Sequence, residues 1–88
     1  MHHPLIIDTR EEYEFTNGHV DGAINIPPME FMDGNLPTQL QTTPKDQAII
    51  VYCVSGSRSN VVINILRQHG FTNLKNGINR QQVERSLA

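Results

Sequence analysis

The stretch Tyr52-Cys53-Val54-Ser55-Gly56-Ser57-Arg58-Ser59-Asn60 places the chain's one cysteine at the mouth of a run of small and polar residues. Gly56 and the serines let the backbone curl so that several amide hydrogens turn inward, forming an anion nest where a helix begins. A thiolate at the head of such a nest is itself the anion. The amides favour its charged form, and Arg58 adds a full positive charge if its side chain turns inward; thiols in such settings titrate at roughly 3.5–7.5, against about 8.5 for a free one. The chemistry on offer is nucleophilic, with Cys53 the attacking group and Val54, Ser55, Gly56, Ser57, Arg58 and Ser59 its cradle. The competing role is that of a small core residue capping a buried strand, since free cysteine is among the most buried types. Small residues behind the thiol and a helix start beyond it weigh toward catalysis.

Two apolar runs lead into the chemistry. Leu5-Ile6-Ile7 ends at Asp8, and Ala48-Ile49-Ile50-Val51-Tyr52 ends at Cys53. Both are continuous and rich in β-branched residues, the pattern of strands covered on both faces of a parallel sheet. Ala23-Ile24-Asn25-Ile26, stopped by Pro27-Pro28, and Phe71-Thr72-Asn73-Leu74, stopping near Gly77, complete a set of four predicted strands. Between them lie a short charged helix over Arg10–Thr16 and, across 28–41, one or two helical turns broken by Gly34 and Pro37. The strongest helix is predicted over Ser57–His69, with Val61, Val62, Ile65 and Leu66 inward and Gly70 as its stop. A last helix over 79–87 is weakly amphipathic through Val83 and Leu87.

Strand and helix alternate, which implies an α/β fold: a small parallel sheet of about four strands with helices on both faces. The expected order is 4-3-1-2, with the reversal between strands 1 and 3. Ligands of such sheets bind beyond the strand C-termini at that reversal, and there Asp8-Thr9-Arg10 and the Cys53 loop emerge together.

Eighty-eight residues suffice for a single domain with one modest core, expected to span 1–88. Seven Lys and Arg against nine Asp and Glu give a net charge of −2, and the cations are scattered, so the charge pattern gives nucleic-acid binding little support. No segment reaches the ~18 apolar residues of a membrane span, and no basic region precedes an apolar run at the N-terminus. The expectation is a cytoplasmic protein, or a periplasmic one if a signal peptide has been removed. A single cysteine leaves no internal disulfide. His2 and His3 read equally well as tag or as native chain.

The loop Cys53-Val54-Ser55-Gly56-Ser57-Arg58 resembles the Cys-x-x-Gly-x-Arg active-site loop of the rhodanese family of sulfurtransferases. Ile7-Asp8-Thr9-Arg10-Glu11 is similar to the family's Asp-x-Arg segment. Gly18-His19-Val20-Asp21-Gly22-Ala23-Ile24-Asn25-Ile26-Pro27 follows Gly-His-[Ile/Val]-x-Gly-Ala-x-Asn-Ile-Pro almost letter for letter. Gly70-Phe71, Leu74 and Asn76-Gly77-Ile78 resemble the closing strand and its turn, so the likeness runs over about residues 5 to 80 and is strongest with the compact single-domain thiosulfate sulfurtransferases. The closing turn departs from the family's frequent Gly-Gly-x-x-x-Trp: it reads Asn76-Gly77, and the chain has no tryptophan.

The resemblance implies a ping-pong reaction with neither metal nor organic cofactor. Cys53 takes the outer sulfur of thiosulfate or a related donor as a persulfide, and cyanide or a thiol, with thioredoxin and glutathione as candidates, removes it. Arg58 either grips the anionic donor or braces the loop through a carboxylate, with Asp8 the expected partner. Asp8 and Arg10 are expected behind the cradle, as support for the site or as a purely structural clamp. The hydroxyls of Ser55, Ser57 and Ser59 either donate to sulfur or cap the helix, the commoner duty.

Two other functions compete. Cysteine-dependent phosphatases and arsenate reductases resemble this loop but place five residues between Cys and Arg, whereas four stand here, Val54 to Ser57. The tighter ring suits a sulfur atom better than a tetrahedral oxyanion. A non-catalytic rhodanese-like binding module usually replaces the nucleophile, and Cys53 is present. His19 lacks the spacing of a metal ligand and reads as a structural hydrogen-bonding residue. His69 closes a helix, and Asn17-Gly18 and Asp33-Gly34 read as turns.

Overall fold

The computed structural model describes residues 3–88, so His2 lies outside the described residues. Four parallel strands, β1 (Leu5–Asp8), β2 (Ile24–Asn25), β3 (Ile49–Cys53) and β4 (Leu74–Asn79), form one sheet in the order β2-β1-β3-β4, as the strand and helix alternation predicts. The three α-helices are α1 (Glu12–Thr16), α2 (Ser57–Gln68) and α3 (Arg80–Leu87). The broken segment after β2 holds two 3-10 turns, Pro28–Phe31 and Thr38–Leu40.

Alternation along the two central strands sends successive side chains to opposite faces. Ile7, Ile49 and Val51 point to one face, where Val62, Ile63 and Leu66 of α2 join Ile26, Phe31, Leu40 and Phe71 in the larger core. Ile6, Ile50 and Tyr52 point to the other, against Val20 and against Val83 of α3. Every residue of β3 is buried, which is why its sequence is continuously apolar instead of alternating.

Three expectations need correction. The fourth strand does not run over Phe71–Leu74; it begins at Leu74 and passes Gly77 to end at Asn79. Phe71 instead closes α2, its N–H donating to Leu66 O at 3.2 Å while Gly70, at φ 95°, donates to Arg67 O at 3.0 Å. This pair of bonds is a Schellman stop, and it drops the Phe71 ring into the core. On α2 the buried stripe is Ser59, Val62, Ile63 and Leu66, with Ile65 half-buried against the core as expected and Val61 exposed instead of inward. Ser59 faces the cysteine loop, and residues 3, 4 and 7 positions beyond it share its side of the helix, so Ile63 turns inward and Val61 outward. On α3 only Val83 is buried, and Leu87 is exposed.

β4 pairs with β3 through a bulge. Val51 faces Asn76 and Tyr52 faces Ile78, so Gly77 is the extra residue. A Cβ at Gly77 would run into Val83 Cγ2 and stand 2.9 Å from Ile50 Cγ2, so any side chain at the bulge position forces its neighbours to move. Ile78 follows at φ 74°, a left-handed conformation that a β-branched side chain adopts at a cost of about 1–3 kcal/mol.

Candidate active site

Cys53 ends β3 at the point where the sheet order reverses, beside the end of β1, to which it is tied by Thr9 N–H donating to Tyr52 O at 3.0 Å. Its side chain is buried, 2% exposed. Gly56 takes the N-cap position of α2 at φ 93°, and no side-chain oxygen caps the helix. The sulfur does that work: Cys53 Sγ accepts the Gly56 N–H at 3.2 Å and the Ser59 N–H at 3.4 Å, and Ser59 Oγ stands 3.4 Å away. The capping duty expected of the serines therefore falls to the thiol itself. Ser55 and Ser57 hydroxyls lie 3.2 Å from each other at the exposed loop tip, and Val54 is exposed beside them.

Burial of the thiol pushes its pKa up, but the Ser59 hydroxyl and the backbone N–H groups of Ser59, Gly56 and Ser55 outweigh it and bring Cys53 from 9.0 down to about 7. A large fraction is thiolate at neutral pH, with the amide donors already in place.

Arg58 turns away from the sulfur. Its guanidinium donates to both carboxylate oxygens of Glu14 on α1, at 2.9 and 3.3 Å, and this pairing raises the arginine's pKa and lowers that of Glu14. The brace expected through Asp8 is thus made by Glu14, because Asp8 is already occupied. Arg10 donates to Asp8 from its backbone N–H and its Nε, and more closely from its guanidinium at 2.6 Å, while the Tyr52 hydroxyl donates to Asp8 Oδ2 at 2.7 Å. Tyr52 OH in turn accepts the Val20 N–H at 3.0 Å, and Arg10 also donates to Gly18 O at 2.7 Å. Burial, opposed by the Val20 hydrogen bond and reinforced by Asp8, pushes Tyr52 up to about 12, so it remains a proton donor. Asp8, Arg10 and Tyr52 lock β1, β3 and the Gly18 turn together behind the loop; their hydrogen bonds go to one another and to backbone, not to sulfur. His19 stacks on Phe15 with ring centroids 3.7 Å apart and lies 2.8 Å from Phe15 O through Nδ1, a structural placement.

Glu14, Tyr52 and Asn76 join the site without having been singled out in the sequence. Asn76 lies on β4, where its side-chain N–H donates to Gly56 O at 3.0 Å and its Oδ1 accepts the Ser59 hydroxyl at 2.7 Å. The one signal was its place in the closing turn, where a glycine is more usual in the family the sequence resembles. A depression of about 350 Å³ lined by Pro44, Asp46, Gln47, Ala48 and Asn73 sits at the opposite end of the strands, away from the thiol. Chemistry, not concavity, locates the site.

A family described as the rhodanese-like domain matches residues 1–82. A sulfurtransferase of Allochromatium vinosum is 32% identical over 77 residues, covering 84% of this chain and 67% of the relative. A tRNA uridine(34) hydroxylase of Sodalis glossinidius is 36% identical over 72 residues, covering 80% of this chain but 20% of the relative. The chain thus spans about a fifth of the length of the first curated relatives it matches. Among solved structures, a rhodanese with anions from E. coli superposes with a TM-score of 0.76 at 29% identity, covering 91% of each chain.

Proposed function

The chain belongs to the family of rhodanese-like domains, and from that membership and the thiol cradle we propose that it transfers sulfane sulfur through a persulfide on Cys53. The observation that carries the proposal is the sulfur's position as acceptor of the Gly56 and Ser59 amide hydrogens at the head of α2. Such a thiol is ionised near neutral pH without a separate general base, and the same donors favour the anion that sulfur transfer generates.

With thiosulfate as donor, the Cys53 thiolate attacks the outer sulfur, the S–S bond of the donor breaks, and sulfite leaves with the bonding pair. Cys53 keeps the transferred atom as a persulfide anion. Cyanide then attacks that outer sulfur, thiocyanate departs, and the thiolate is restored; a thiol acceptor such as glutathione or thioredoxin accepts the sulfur in the same way. Val54, Ser55, Gly56, Ser57 and Ser59 form the cradle for the transferred atom and its anionic donor. Arg58, held by Glu14, braces the loop and contributes its charge from outside, so backbone amides rather than a guanidinium fork receive the donor. That arrangement also speaks against phosphoryl transfer, which needs a cation directed onto the transferred group.

Incubation with thiosulfate is expected to add about 32 Da, one sulfur, to the intact protein by persulfide formation, and cyanide is expected to remove it as thiocyanate. Cys53→Ser is expected to abolish both steps. Undiminished thiocyanate formation by that variant would refute the proposal, and hydrolysis of p-nitrophenyl phosphate that depends on Cys53 would favour the phosphatase alternative.

A further inference from the structure

The Asn76 side chain can be oriented in only one way. Its Oδ1 accepts the Ile78 N–H at 2.9 Å and its Nδ2 donates to Gly56 O at 3.0 Å. Exchanging the two ends would set N–H against N–H and oxygen against oxygen, so the acceptor end must face Ser59 Oγ, 2.7 Å away. Ser59 has one hydroxyl proton, and Asn76 is its nearest acceptor; Gly56 O at 3.1 Å is the next. With that proton given to Asn76, Ser59 Oγ turns lone pairs toward Cys53 Sγ at 3.4 Å. Such an oxygen accepts a proton from a thiol and offers none to a thiolate.

We propose that Asn76 is a positioning residue that competes with Cys53 for the Ser59 hydroxyl proton, holding it away from the sulfur in the resting thiol and releasing it when the thiolate forms. The chain of donors runs Cys53 to Ser59 to Asn76 while the sulfur is protonated. On ionisation the Ser59 hydroxyl swings to the sulfur and the 2.7 Å bond to Asn76 Oδ1 is given up. Asn76 therefore restrains ionisation through Ser59, while its other end fixes the Gly56 carbonyl so that the Gly56 N–H continues to face the sulfur. The strained Ile78 backbone, whose N–H is bonded to the same Oδ1, keeps the amide from turning.

The charged groups on the elements packed around the thiol are engaged elsewhere. Arg58 on α2 interacts with Cys53 through its charge and is held by Glu14 on α1, with Glu11 also near it. Asp8 and Arg10 after β1 are paired with each other, and Arg80 at the start of α3 is paired with Glu84. Lys75 points to the opposite side of β4 from Asn76 and is exposed.

The inference rests on Cys53 as the reactive thiol, but its test reads alkylation by iodoacetamide, which titrates the thiol whether or not sulfur transfer occurs. In Asn76→Ala the freed Ser59 hydroxyl turns to the sulfur, and alkylation at about pH 6 is expected to run roughly threefold faster, while the plateau at high pH falls slightly because a less basic thiolate is a weaker nucleophile. Asn76→Gly, which restores the residue more usual in this turn, is expected to behave alike. In a Ser59→Ala background the Asn76 substitutions are expected to give no acceleration. Alkylation at about pH 6 that is unchanged or slower in folded Asn76→Ala and Asn76→Gly overturns the proposal, as does an equal acceleration without the Ser59 hydroxyl.

Discussion

The Cys53 sulfur, reaching in from the end of β3, does the work that a serine or aspartate oxygen at the N-cap usually does at the start of a helix, and its expected reactivity follows from that exchange of sulfur for oxygen. The amides that need an acceptor at the first turn of α2 find the sulfur, and they bind its anion more strongly than its thiol. A consequence is a titration centred at about 7. The rate of persulfide formation at fixed thiosulfate is expected to climb as pH rises through about 7 and then level off, measured by stopped-flow or by quenched mass analysis. A midpoint near that of a free thiol, about 8.5–9.0, would show that the amides do not hold the thiolate. The sign of the linked stability follows from a folded pKa below the unfolded one: the thiolate's contribution is fully present above pH 9.0 and is lost as pH falls through about 7. At this scale the sequence pointed to Cys53 as the candidate nucleophile, because Gly56 and the serines have few other reasons to follow a cysteine at a strand end. It did not announce Glu14 as the partner of Arg58. That pairing depends on where α1 packs against the start of α2, 44 positions away in the chain, and on Asp8 being fully engaged by Arg10 and Tyr52.

Among the elements, β4 is where sequence pattern and structure part most clearly. β3 could be read directly, since five consecutive buried residues leave an apolar run that nothing else explains. Leu74-Lys75-Asn76-Gly77-Ile78-Asn79 has no such run. It is a strand because β3 offers it a backbone partner, and its polar side chains serve the site instead of the core. The bulge at Gly77 makes both possible: it turns Asn76 toward the cysteine loop and lets Val83 of α3 close over the sheet. Gly77→Ala would bring a methyl group against Val83 and Ile50 at distances no packed carbon tolerates, and relief must come from moving α3 or the bulge. The expected loss is about 1–3 kcal/mol, the usual cost of overpacking, seen as a lower midpoint in urea denaturation. An unchanged midpoint would mean that α3 is not held against the sheet at that point. The absence of tryptophan in this closing segment has a visible counterpart, since Val83 is the one buried side chain of α3.

Taken as a whole, the molecule has two unequal layers, and the reactive loop is rooted in the stronger. The α2 face joins ten buried side chains into one cluster, whereas the α3 face joins five. Opening α3 therefore exposes little apolar surface, while opening α2 or β3 dismantles the main core. Because Cys53 ends β3 and Ser59 begins the buried stripe of α2, the sulfur and its amide donors are fixed by the part of the fold that opens last. Donors that stabilise an anion are effective only if they need not reorganise when the charge appears, so this rooting is what catalysis by a backbone cradle requires. In native-state hydrogen exchange, amides of β3 and of the middle of α2 are expected to exchange on the order of a hundredfold more slowly than those of α3, with the Gly56 and Ser59 amides nearer the first group. Protection of α3 equal to that of β3 would show a single cooperative unit, and the loop's rigidity would then owe nothing to its place in the larger layer.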